Sequence, residues 1–225
     1  MQTFVTSKSR ENILSKIRKG LSDTKLPIPF PEAEREGTEV FNNDRSAVEE
    51  VFAESFINLG GKFVFCDSAT ELLQNLSDLR DAKGWDYVLC SNNSLLRYAE
   101  ARGVDFVLTA DPFTESALAC ITGCEMLVAR TGSVLLTSNQ NIGRTATVFY
   151  PTHIIVAYID QIVPDIEDAF DILKKKYGND LPSMINLNTG PSRTADIEKT
   201  LVVGVHGPGE VYCFVIASLD DAISL

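Results

Sequence analysis

Cysteine and histidine are scarce in this chain: five and two among 225 residues. Cys66, Cys90, Cys120, Cys124 and Cys213 are odd in number and sit mostly within apolar runs, the pattern of reduced, buried thiols rather than a disulfide framework. One close pair exists, Cys120 and Cys124 at C-x3-C spacing. An iron–sulfur cluster asks for four cysteines at recognisable spacing, and two histidines far apart in sequence do not make a metal site. The sequence therefore predicts no metal and no resident cofactor.

Basic residues are also few. Twenty Lys and Arg stand against 31 Asp and Glu, a net charge of -11, which disfavours nucleic acid or an anionic membrane as partner. No apolar run reaches membrane-spanning length, and the start, MQTFVTSKSRENI, lacks the apolar core of a secretion signal. A cytoplasmic protein is expected. Neither a GxxxxGK[ST] loop nor a six-residue dinucleotide fingerprint is present.

What is there is ordinary globular composition, 44% hydrophobic and 23% charged, without internal repeats. Residues 1–40 read as a short amphipathic helix from Ser7 to Gly20, with Ile13, Leu14 and Ile17 on one face. An extended arm, LPIPFPEAEREG, follows it. Residues 41–225 read as one α/β domain. Asp44 is placed to cap a helix carrying Val48, Val51, Phe52, Phe56 and Leu59, stopped at Gly60. Strands are expected at Lys62–Cys66, Trp85–Cys90 and Val104–Thr109, with helices at Ser68–Leu79 and Ser94–Arg102 between them, the rhythm of parallel βαβ units. Leu118 to Thr137 then reads as a strand and a β-hairpin whose turn holds Arg130 and Thr131. Further strands are expected at His153–Tyr158, Met184–Leu187 and Val211–Ile216, with a helix from Pro164 to Tyr177. The architecture predicted is a mostly parallel sheet with helices on both faces plus a β-hairpin.

The most chemically loaded stretch is TGPSRTADIEKTLVVGVHGPGE, Thr189 to Glu210. It joins two glycine-containing turns through a segment that reads as helix-like. A turn that opens a helix leaves main-chain N–H groups free for an anion, here around Ser192 to Ala195, and Arg193 adds a bidentate donor. TGPSR directly follows a predicted strand, so it is expected at the carboxyl edge of the sheet, where open α/β folds bind ligands. Candidate ligand residues are Gly190, Ser192, Arg193, Thr194, Asp196 and Gly207, with Thr131 and Gly132 as neighbours on the hairpin. His206, between glycines, and Glu125, in an apolar segment, are the candidate catalytic residues. Plainer readings stand beside these. The stretch is then a capped connection, Arg193 pairs with Asp196 or Glu198, Asp196 orients the turn, and Glu125 forms a salt bridge to Arg130 or Arg144. The acidic runs Glu32 to Glu36 and Asp165 to Asp168 read as solvated faces.

TGPSRTADIE followed by GVHGP resembles the signature of the LUD-domain lactate-utilisation family, and the resemblance continues through ITGCEMLVARTGSVLLTS, Gly143-Arg144 and Pro151-Thr152-His153. It implies a fold similar to the group of sugar-phosphate isomerases and CoA transferases. It also implies a place in a cytosolic L-lactate oxidation system, lactate to pyruvate, acting with partner proteins that carry iron–sulfur clusters. Within such a system a small anionic metabolite is the expected ligand. The alternative is a stand-alone CoA-transferase-like or phosphometabolite-binding enzyme using Glu125 or His206.

Overall fold

A computed structural model of the chain describes residues 8–23, 47–86, 88–104, 117–139, 146–197 and 200–217. The chain divides into two compact units, Met1–Asn42 and Asn43–Leu225. In the first, the described element is helix α1 (Lys8–Asp23), with Ile13 and Ile17 exposed. The proline-rich arm lies outside the described residues.

The second unit is built on two sheets. The central sheet has the order β1 (Lys62–Cys66), β11 (Glu210–Ile216), β6 (Thr152–Tyr158), β3 (Ala119–Thr122) and β2 (Val88–Cys90), and all its pairings are parallel. A second sheet has the order β7 (Ile162–Val163), β4 (Met126–Val128), β5 (Ser133–Thr137) and β8 (Ile185–Asn188). There β4 and β5 form the expected antiparallel hairpin, with Met126 opposite Leu135.

Alternation along the buried strands makes the layers, because successive side chains leave opposite faces of a sheet. Ile154, Val156, Tyr212 and Phe214 face helices α3 (Ala69–Lys83) and α4 (Asn93–Glu100), packing on Leu72, Leu76, Leu95 and Ala99. Ile155, Ala157, Val211, Cys213 and Val215 face the other way. They meet Phe52 and Phe56 of α2 (Val48–Asn58) together with Leu127, Val134 and Leu136 of the hairpin. The hairpin's outer face, Met126, Val128 and Leu135, packs on Ala169 and Leu173 of α6 (Ile166–Tyr177). Full burial of each such side chain contributes about 1.5–3 kcal/mol.

Local chemistry sets the helix ends. Ser68 caps α3 by accepting from the Glu71 N–H at 3.2 Å. Asn92 Oδ1 accepts from Ser94 and Leu95 at the start of α4. Asp165 caps α6, and Arg130 of the hairpin turn grips the same carboxylate through two nitrogens at 2.7 and 2.8 Å. That carboxylate is thus an anchor rather than part of a solvated acidic face.

Other expectations need correcting. Helix α2 starts after Ala47, which sits in the left-handed region at φ 57°; Asp44, expected as its cap, lies outside the described residues. The strand expected from Trp85 is confined to Val88–Cys90, and of the strand expected at Val104–Thr109 only Val104 is described. The segment after TGPSR is not helical. It is a β-hairpin, β9 (Arg193–Ile197) paired antiparallel with β10 (Thr200–Val203). Its β-branched residues Thr194, Ile197, Thr200, Val202 and Val203 suit the extended chain.

Candidate functional site

The two glycine turns meet. The Ser192 N–H donates to the Pro208 carbonyl at 2.9 Å, and the Ser192 carbonyl accepts from the Gly204 N–H at 2.9 Å. A Cβ at Gly207 would sit 3.1 Å from Ser192 Cβ, so that glycine allows the close contact. The loop 204–209 also closes on itself, since a Cβ at Gly204 would lie 3.0 Å from Gly209 Cα. His206 stands exposed at its tip, in the segment Val205–His206.

The pair of turns lies at the amino edge of the central sheet, not the carboxyl edge. TGPSR follows β8, which belongs to the second sheet. The Gly209 and Glu210 N–H groups both donate to Pro151, the residue before β6, at 2.9 and 3.2 Å. Arg193 Nη2 donates to the carbonyl of Leu59, one residue past the end of α2 and three before β1. The starts of β1, β6 and β11 therefore converge on this spot. The expectation of open amides fails at Ser192, whose N–H is already spent, and no helix begins here to supply more.

The β4–β5 turn joins the same neighbourhood. Gly132, at φ +60°, lies so close to α2 that a Cβ would come within 2.7 Å of the Phe56 nitrogen. Gly190 stands one helical turn further along, where a Cβ would come within 3.0 Å of Leu59. Ser133 Oγ and Thr189 Oγ1 share a 2.9 Å hydrogen bond between the two turns. Gly132, Gly190 and Arg193 thus meet α2 and the residue that follows it, and Gly207 packs on the neighbouring Ser192. Thr131 is in the same turn, but its hydroxyl is buried and has no partner among the described residues. Thr194 and Asp196 lie on β9, with Thr194 opposite Val202.

Glu125 is elsewhere. It follows β3 at the carboxyl edge of the central sheet, whereas His206 precedes β11 at the amino edge. Its carboxylate, 6% exposed, accepts from Thr137 Oγ1 at 2.8 Å, Tyr177 Oη at 2.7 Å and Lys176 Nζ at 2.7 Å. Burial pushes its pKa up, but the hydrogen bonds from Lys176, Tyr177 and Thr137 outweigh burial and hold it below the usual value. The ion pair is with Lys176, not with Arg130, which is taken by Asp165, and Arg144 lies outside the described residues. His153, the other histidine, is buried on β6 with Nε2 2.8 Å from Thr122 Oγ1, and burial lowers its pKa to about 4. All five thiols are buried, and burial pushes Cys90 up to about 12.

A charge cluster that sequence reading missed flanks the amino edge. Glu210 accepts from Lys62 Nζ and Lys83 Nζ, each at 2.7 Å. Those two hydrogen bonds, Lys62 first, hold its carboxyl below the usual range. The partners are 148 and 127 residues away in sequence, so no local pattern announces them. Among the described residues no group of three or more His, Cys, Asp or Glu side chains is placed to hold a metal ion, and no helix is long and apolar enough to cross a membrane.

Residues 112–216 match the model of the LUD domain. Over that stretch the chain is similar to the LUD domain family. Lactate utilization protein C of Bacillus subtilis is 44% identical over 96 residues, 42% of this chain and 40% of that protein. Lactate utilization protein C of Bacillus licheniformis is 40% identical over 104 residues, 45% of this chain and 43% of that protein. The chain thus spans less than half the length of these curated relatives. A crystal structure of a DUF162 family protein from Deinococcus radiodurans aligns at TM-score 0.55 and 20% identity, over 77% of this chain and 99% of that one. That likeness is one of fold. The LUD stretch contains both glycine turns, the β4–β5 hairpin and Glu125, while α2, against which the turns pack, lies outside it.

Proposed function

We propose that this chain is a component of a cytosolic L-lactate utilisation system, working with iron–sulfur partner proteins that convert lactate to pyruvate, and that it holds a small anionic ligand beside the paired turns. The LUD stretch and the name shared by its relatives support the lactate role. The observation that supports a ligand here is the Ser192-to-Pro208 hydrogen bond. It locks the two turns into one unit in which Arg193 and His206 are each exposed. With the Ser192 amide spent, side chains replace main-chain amides as the anion's contacts. A guanidinium carries five donors in a fixed fork, and the Leu59 carbonyl engages one nitrogen of it. Oxidation of lactate to pyruvate removes two electrons and two protons. Iron–sulfur clusters carried by the partners would supply the electron acceptor.

The surroundings of Glu125 weigh against the alternative of a stand-alone CoA-transferase-like enzyme. A nucleophilic carboxylate needs an open lone pair, and this one is buried, ionised and engaged by three donors.

Two measurements test the proposal. Removing the gene from its host abolishes growth on L-lactate while growth on pyruvate continues, and the wild-type gene restores it. Arg193→Ala weakens L-lactate binding to the purified chain by about 1–3 kcal/mol, the range for a hydrogen bond to a charged group. Undiminished growth of the deletion strain on L-lactate rejects the lactate role. Unchanged affinity in Arg193→Ala rejects the ligand site.

A further inference from the structure

Beside the turns lies an open groove of about 760 Å³, and its shape and lining fit a ligand larger than a three-carbon acid. One wall is α5 (Ala146–Phe149) with Val148 and Phe149; the other is the base of the β9–β10 hairpin with Val203 and Val205. Pro151, Thr152, His206, Gly207, Gly209 and Glu210 complete the lining. Four apolar side chains are left facing water around one depression. Phe149 is 57% exposed and Val203 50%. Scattered exposed apolar residues are normal, but a cluster that lines a concavity marks a binding surface.

Glu210 lines the groove, and the two lysines that bond to it from outside the lining narrow the ligand class. Glu210 carries one negative charge, and Lys62 and Lys83 cap its two oxygens. The sum of the three is one positive charge, in a chain whose net charge is -11. Lys62 also donates to Tyr212 Oη at 2.9 Å, so its ammonium is held in place rather than waving in solvent. A lone carboxylate lining a groove favours cations; a carboxylate doubly capped by lysines favours a single anion. The volume lies within the 300–1,000 Å³ typical of sites for drug-sized organic molecules, and lactate fills a small part of it.

We propose that this groove binds an amphipathic organic monocarboxylate, with an aromatic or branched body against Phe149, Val148, Val203 and Val205. The carboxylate lies toward Lys62 and Lys83, and His206 lies beside the chain between them. This goes beyond the lactate role, because the ligand is a second and larger molecule held chiefly by other residues, with His206 the one shared. Arg193 takes no part in it.

Three probes test this on the purified full chain by calorimetry and protein-observed NMR: 3-phenylpropanoate, its neutral analogue 3-phenylpropan-1-ol, and L-lactate. The acid is expected to bind at least about tenfold more tightly than either of the others, since burying a phenyl ring and meeting a net positive charge both add to its affinity. Phe149→Ala is expected to weaken the acid about tenfold, and Lys83→Met by about fivefold, with the thermal midpoint unchanged because both side chains are partly exposed. If Phe149→Ala does not fold, Val203→Ser carries the same test from the opposite wall. Equal affinity for the acid and the alcohol overturns the charge argument and with it the proposal. So does an acid that binds no better than lactate, or one indifferent to the wall substitutions. The selectivity among probes is read on the wild-type chain, so it stands apart from the growth and Arg193→Ala tests of the lactate role.

Discussion

The Ser192 N–H reaches the Pro208 carbonyl at 2.9 Å, joining two turns that are sixteen residues apart. A short bridge of this kind gives the loop 204–209 a fixed seat, and it converts the amide expected to greet an anion into a structural contact. The prolines and glycines of both turns serve that seat: a Cβ at position 207 would press on the Ser192 side chain.

The β4–β5 turn depends on Gly132 for two separable reasons. It has φ +60°, and a Cβ there would strike the main chain of α2 at 2.7 Å. Gly84, at φ +63°, meets nothing within 4 Å. Gly84→Ala therefore costs about 1–2 kcal/mol, the penalty for left-handed backbone alone. Gly132→Ala adds overpacking against main chain that cannot yield and costs about 3 kcal/mol or more. Urea unfolding of the two variants measures both; equal losses would refute the close packing of turn on helix.

Acid titration separates Glu125 from His153. Glu125 has its folded pKa held below the ordinary 4.5, so the stability it contributes is complete above 4.5 and is lost as pH falls through the lowered value. Glu125→Gln is expected to lose about 1–3 kcal/mol at pH 7, because Lys176 is half exposed and regains water. The gap to wild type then narrows as pH falls below 4.5. Denaturant melts at falling pH from 7 follow it, and a gap that does not narrow at all below pH 4.5 would contradict an ionised Glu125.

His153 works in a different window. Burial lowers its pKa from 6.5 to about 4, so between those values the unfolded chain binds a proton that the folded chain does not. Stability therefore falls as pH drops from 6.5 toward 4, by on the order of 3 kcal/mol at the lower end. His153→Gln removes that slope while keeping a polar partner for Thr122. Melts at pH 7.0, 5.5 and 4.5 check it, and an unchanged slope would place the titration elsewhere.

Five buried thiols give a chemical count. In the native state an excess of aromatic disulfide reagent at pH 8 should modify them only as fast as the protein opens. In 6 M guanidinium all five should react at once. A fast equivalent in native buffer would mean that one thiol is more accessible than its packing against the core allows.

Much of the architecture was legible in the sequence because its strands are short apolar runs bounded by glycine, serine or asparagine. Lys62–Cys66 was read to the residue, and the β4–β5 hairpin with its turn at Arg130 and Thr131 was read correctly. The segment after TGPSR was misread because Ala195, Asp196, Glu198 and Lys199 look helical locally, whereas pairing of Thr194 with Val202 decides the matter through tertiary context. Which sheet a strand joins also leaves no local mark. Met184–Leu187 was recognised as a strand, but nothing near it says that β5 is its neighbour, so the edge on which TGPSR lies came out reversed. Long-range charge partners were hidden for the same reason. Glu125 was matched with nearby arginines, and its actual partner sits 51 residues on, in α6.

Strand β11 lies between β1 and β6, pairing Lys62 with Tyr212 on one side and Thr152 with Glu210 on the other. A ribosome releases β1 some 150 residues before the strand that completes it. Neither β1 nor β6 can find this neighbour before Glu210–Ile216 has been made, so closure of the central sheet waits on nearly the whole of the described chain.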